Sequence, residues 1–154
     1  MNHPPNHQNA FLESEESLEE FVHQWKAGKL PRAEWTHAAH VCVATYHAFD
    51  HQGEELFQQI KAGLIHHNNS VGTLNTEESG YHETLTRLWV NITEEFVRTG
   101  AFSTRLQAVK SAVEQFGSDS GYHRNYYSFD VVKDKRARRE WIPPDRTPPA
   151  QPRP

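Results

Sequence analysis

Histidine is the chemical outlier of this chain. It supplies 11 of the 154 residues, beside one cysteine and one methionine. Imidazole is the commonest side-chain metal ligand and the commonest general acid or base. Three histidines follow one another in the stretch Trp35-Thr36-His37-Ala38-Ala39-His40 and on to His47. On a helix turning about 100° per residue, His40 falls near 300° and His47 near 280° from His37, so the three share a face. Ala44 lies in that face and Val41 and Val43 flank it, which marks it as inward. Residues at i and i+3 reach one ion together, as in the Glu-x-x-His motifs of bundle metalloproteins. His37 and His40 have that spacing. His47 lies about 10 Å further along the axis, too far to share their ion. The plainer alternative is that these are satisfied polar residues near helix ends or in a wet groove.

A second constellation is Gly80-Tyr81-His82-Glu83-Thr84. Read as a helix, it sets His82 beside Trp89 at the edge of a stripe of Leu85, Leu88, Trp89, Ile92 and Phe96, with Thr86 one turn on to orient its ring. Glu83 points away from the stripe, toward an ion pair with Arg87 four residues on. It joins the chemistry only if the C-terminal segment covers that face. His123, followed by Arg124, Asn125, Tyr126 and Tyr127, could line a pocket for a small anion or aromatic ligand, or belong to an amphipathic cover strip. His66 and His67 close a helix, where positive charge is favourable and no site is needed. Cys42 points away from the histidine face, and nothing marks it as a nucleophile.

The elements that must position these groups are helical. Ser17 and Glu20 make a capping box, and Leu18, Phe21, Val22 and Trp25 follow on one face up to Gly28. Thr36 caps a second helix running to about Phe49. A third covers about 54–67, a polar loop 68–80, a fourth helix about 81–99 and a fifth about 103–116, each bounded by Gly or a polar turn. A short basic helix falls near 130–140. No Asn-Gly or Asp-Gly hairpin signal occurs. The expected fold is all-α, a four- to five-helix bundle with an irregular C-terminal segment. Residues 1–11 read as a flexible arm, 12–142 as one domain, and 143–154 as a disordered proline-rich tail. Trp141 and Ile142 pin the chain before that tail. Ser-Gly-Tyr-His occurs twice, at 79–82 and 120–123, too short a string to be a repeat.

Composition narrows the partners. Asp plus Glu outnumber Lys plus Arg, 20 to 16, for a net charge of −4. That gives no support to a nucleic-acid-binding or polybasic membrane protein, so neither partner is expected. No apolar run approaches the ~20 residues of a membrane span, and the first residues lack the apolar stretch of a signal peptide. One cysteine excludes an internal disulfide framework. The cytoplasm is the expected location.

Two strings, Trp35-Thr-His-Ala-Ala-His and Ser79-Gly-Tyr-His-Glu-Thr-Leu-Thr-Arg, together resemble a family of small, functionally uncharacterised bacterial proteins. The Ala137-Arg138 and Trp141-to-Asp145 pattern extends the resemblance over about residues 30–145. It pairs the His37/His40 string with the His82 string and supplies no substrate. DinB-like four-helix bundles, which hold a metal through three histidines, are a looser likeness, and their His-x-x-x-His spacing is not in place here.

The leading expectation is a small helical-bundle metalloprotein, leaning toward a hydrolase or oxidoreductase. His37, His40 and His82 would bind one divalent transition ion (Zn²⁺, Fe²⁺ or Cu²⁺), because three imidazoles disfavour Mg²⁺ and Ca²⁺. The ion would activate water, oxygen or a small-molecule substrate, with Glu83, Tyr81 and His123 moving protons. The alternative is a metal-free small-ligand or partner-binding regulatory module. A third reading is a metal-free acid/base enzyme using His40 and Glu83. Convergence discriminates: ligand bonds of ~2.0–2.1 Å require the three histidines' nitrogens to lie within about 4 Å of one another.

Overall fold

The stretch with the histidine stripe, α2 (His37–Ala48), is buried nearly all round. Ala38, Ala39, Val41, Cys42, Val43, Ala44, Thr45, His47 and Ala48 are all inaccessible. A helix without a wet face belongs in the middle of a fold. A computed structural model, describing residues 7–147, places it there, packed mainly against α5 (Arg105–Phe116) and α4 (Glu83–Thr99) and also against α3 (Gly53–Ser70). α1 (Glu15–Lys26) packs on α3 and α5, and short α6 (Lys135–Arg139) on α4. Among the described residues there are six α-helices, three short 3-10 turns and no strands, so the fold is all-α. None of these helices is long and apolar enough to cross a membrane.

The helix starts follow local chemistry. Thr36 and Thr104 cap α2 and α5, their hydroxyls accepting from Ala39 N–H and Gln107 N–H, both at 3.2 Å. α1 begins earlier than its capping box predicts. Ser14, in extended backbone, accepts from Ser17 N–H at 3.0 Å, and Glu15 and Glu16 then fill the first turn, where carboxylates face the positive helix end. α3 runs three residues past its expected end, to Ser70. α4 starts two residues late. Gly80 adopts φ +77°, where a Cβ would meet the Leu74 carbonyl at 2.4 Å, and the chain stays extended through His82 before the helix opens. That turn overturns the wheel reading, since His82 lies ahead of the helical face it was assigned to.

Both ends of the predicted domain also move. Phe11, expected in the loose arm, is buried in the core cluster with Leu18, Val22 and Val113. At the other end Pro143 to Thr147 belong to the described fold. Asp145 accepts from Ser128 N–H at 2.8 Å and from its hydroxyl, and the Tyr127 hydroxyl donates to the Ile142 carbonyl at 2.7 Å. The pinning expected of Trp141 and Ile142 is visible: Ile142 N–H donates to Thr84 Oγ1 at 3.0 Å, and both side chains pack on the core. Residues 1–6 of the arm and 148–154 of the tail lie outside the described residues.

Candidate functional site

The segment 120–132, the start of α4, the inner flank of α2 and the end of α3 leave a cavity of about 570 Å³ between them. That size suits a small organic molecule. Five histidines line it, His37, His40, His67, His82 and His123, with Trp35, Trp89, Tyr81 and Thr86 among the other walls. The two Ser-Gly-Tyr-His strings thus deliver their histidines, His82 and His123, to one place.

What each imidazole can do depends on where its two nitrogens go. A carbonyl oxygen only accepts, so the ring nitrogen facing it must carry the proton. His37 Nε2–H donates to the Phe116 carbonyl at 3.0 Å, and His40 Nδ1–H to Thr36 at 2.8 Å. His123 Nδ1–H donates to Ser120 at 3.1 Å, and His67 Nε2–H to Leu30 at 3.1 Å. The second nitrogen of each has no hydrogen-bond partner among the described residues. His67 Nδ1 is sealed off, whereas those of His37 and His123 keep access to open space. His82 differs. Its Nε2–H donates to the Val131 carbonyl at 2.9 Å, and its Nδ1 accepts Leu85 N–H at 3.1 Å as the cap of α4. Both its nitrogens are committed to structure.

Burial keeps these rings neutral. Desolvation lowers the pKa of His37, His82 and His123, and in each the carbonyl bond works the other way without overcoming it. His40 is pushed down to about 4 by the protein surrounding its side of the cavity; water reaching its exposed edge moderates that effect. Its ring lies 4.0 Å from Trp35, which also touches His67 at 5.0 Å, and the His37 ring meets the Trp89 edge at 4.9 Å.

The residues expected to move protons are distributed differently. Tyr81 lines the cavity, but its hydroxyl donates to Glu83 Oε2 at 3.0 Å, and burial together with the Glu83 charge pushes its pKa up. Glu83 is outside the lining and pairs with Lys61 at 3.0 Å; Arg87, its expected partner, bonds Glu54 instead. His47, expected to stand apart, does so: its Nδ1–H donates to Val43 at 2.7 Å and its ring packs on Trp25 and Tyr46. Cys42 is buried, and desolvation raises its thiol pKa, which leaves it inert.

Among the described residues, no group of three His, Cys, Asp or Glu side chains stands where it could share a metal ion. His37 and His40 bring unpartnered nitrogens to the cavity, while His82 would have to release both α4 and Val131 to join them. Sequence reasoning missed His67. The signal was present, since it continues the buried positions Leu56 and Ile60 on one side of α3. Comparison with protein-family models, with curated proteins and with solved structures finds no match for this chain.

Proposed function

We propose that this protein binds a small, ring-bearing organic molecule in the histidine-walled cavity, with His40 as the polar group that orients it. One observation carries the reading: a cavity of about 570 Å³ combines aromatic walls with imidazoles whose N–H groups are already anchored. The rings are held in place before a ligand arrives, which lowers the cost of ordering them. A base as weak as His40 accepts a hydrogen bond at pH 7 far more readily than a proton, so binding is its first role. Glu83, engaged by Lys61 and Tyr81, gives no support to a His40/Glu83 acid/base pair.

The test is a screen of uncharged aromatic fragments by tryptophan fluorescence and thermal shift, since Trp35 and Trp89 both line the cavity. Binding that disappears in Ala44→Phe, which fills the cavity from α2, supports the reading. A screen without binders at millimolar concentration, or binders indifferent to that substitution, would contradict it.

A second reading places one divalent transition ion, Zn²⁺, Fe²⁺ or Cu²⁺, on the same imidazoles, within an enzyme that activates water, oxygen or substrate. Its support is the anchoring itself, because a ligating histidine characteristically donates its other N–H to a carbonyl. His37 and His40, at i and i+3, are its first ligands. Elemental analysis after incubation with each ion tests it. Near one equivalent in the wild type, lost in His40→Ala, favours this reading; no retained metal sinks it.

A further inference from the structure

The ligand class can be narrowed by the charge and hydrogen-bond sense of the cavity wall. No Asp or Glu is among the residues that line it, so nothing there balances a cationic ligand. One formally charged side chain, Arg32, stands at the rim. It is exposed, and its Nη2 already donates to the Val71 carbonyl and the Thr73 hydroxyl, each at 2.9 Å. An anion held there would be paired in solvent and weakly. The imidazoles turn the opposite face to a ligand. With one N–H of each fixed on a carbonyl, His37 offers Nδ1, and His40 and His123 offer Nε2, as hydrogen-bond acceptors. Beside the indole N–H donors of Trp35 and Trp89 in the same lining, these three imidazole acceptors favour a partner that brings a donor of its own. A ligand with an ether or carboxylate in its place would set lone pair against lone pair and leave desolvated acceptors unpaired.

We infer that the cavity selects uncharged ring compounds bearing a hydroxyl or N–H donor, which His40 Nε2 accepts, over their methyl ethers, carboxylates and cationic, protonated amines. The inference rests on the cavity reading above, and its test separates the two. Wild-type protein is titrated by ligand-observed NMR with 2-naphthol, 2-methoxynaphthalene, 2-naphthoate and 2-naphthylmethylamine, which share one ring system. The naphthol is expected to bind at least about tenfold more tightly than its methyl ether, the difference one satisfied acceptor makes once the bound ring shields it from water. In His40→Leu, an exposed position, that ratio should fall to within about threefold while the ether still binds. The wild-type ratio needs no variant. Should His40→Leu fail to fold, the wild-type His40 Nε2 ¹⁵N resonance replaces it, moving with naphthol and staying still with the ether. Equal binding of naphthol and ether, or tightest binding of the naphthoate or the amine, overturns the inference and leaves the cavity reading intact. Binding of none of the four overturns both.

Discussion

The two ends of the cavity use the same side chain for opposite purposes. At the α4 end, His82 places one nitrogen under the helix N-terminus and the other on Val131, joining α4 to the C-terminal segment. At the α2 end, His40 anchors one nitrogen one turn back along its own helix, and the other has no hydrogen-bond partner in a ring that lines the cavity. The residues are chemically identical and both lie in motifs that suggested metal binding. Backbone conformation separates them: His82 is extended at φ −130°, ψ 109°, while His40 lies within α2. A histidine's function here is decided by whether its second nitrogen is left over.

Acidification should produce the largest effect and test what the two ends share. His37, His40, His47, His82 and His123 all have pKa values below the ordinary 6.5 when folded. The folded chain therefore binds fewer protons than the unfolded one in this range, and stability falls with pH. The contribution is complete above about pH 6.5 and is lost as pH drops toward about 4, where buried His47 titrates. Buried His47 alone should account for about 2–3 kcal/mol of it. Urea unfolding at pH 7.5, 6, 5 and 4.5 reads this directly, and a flat profile would mean that the folded rings take up protons as readily as the unfolded ones.

Next in size is His82→Ala, which removes a cap and leaves the Val131 carbonyl with only the Asp134 N–H as donor. The expected loss is about 2–4 kcal/mol in chemical denaturation. His82→Asn, which can cap but not reach as far, should recover part of it. A loss under about 1 kcal/mol would place His82 with the cavity-facing group instead. His40→Ala should behave oppositely, changing stability by less than about 1 kcal/mol because Ala is the best helix former and the ring is exposed. The same variant should weaken binding of hydroxyl-bearing ring compounds about tenfold while their methyl ethers still bind. Smallest is Glu83→Gln: it loses the Lys61 ion pair, keeps an acceptor for Tyr81, and should cost under about 1 kcal/mol by thermal unfolding.

Much of the fold was legible because it is written locally. Thr36, Gly100 and Gly117 mark helix ends, and the apolar spacing of α1, α4 and α5 identifies their buried sides. Ser14 and Ser17 lie one turn apart, each ahead of acidic residues, and local pattern does not choose between them; burial of Phe11 and Leu18 against the core accompanies the earlier start. The site was half legible. His37, His40, Tyr81, His82 and His123 were all singled out from the sequence, by spacing or by residue type, and all line one cavity. Roles were less accessible, because a wheel assigns directions only to residues with helical backbone. Gly80 at φ +77° takes His82 off that wheel, and histidine is not a residue whose type announces a cap. His67 was hidden by its place at a helix end, where charge gives a sufficient explanation until burial removes it.

The central claim is the division of the histidines by their second nitrogen, and long-range ¹H–¹⁵N NMR of the imidazole rings at pH 7 tests it most directly. The account predicts His40 and His123 in the Nδ1–H tautomer, with His37 and His82 in the Nε2–H tautomer, all four uncharged. Addition of a hydroxyl-bearing ring compound that binds should move His40 Nε2 and leave both His82 nitrogens unchanged. A cationic His40, the opposite tautomer there, or a His82 that responds to the ligand while His40 does not, would contradict it.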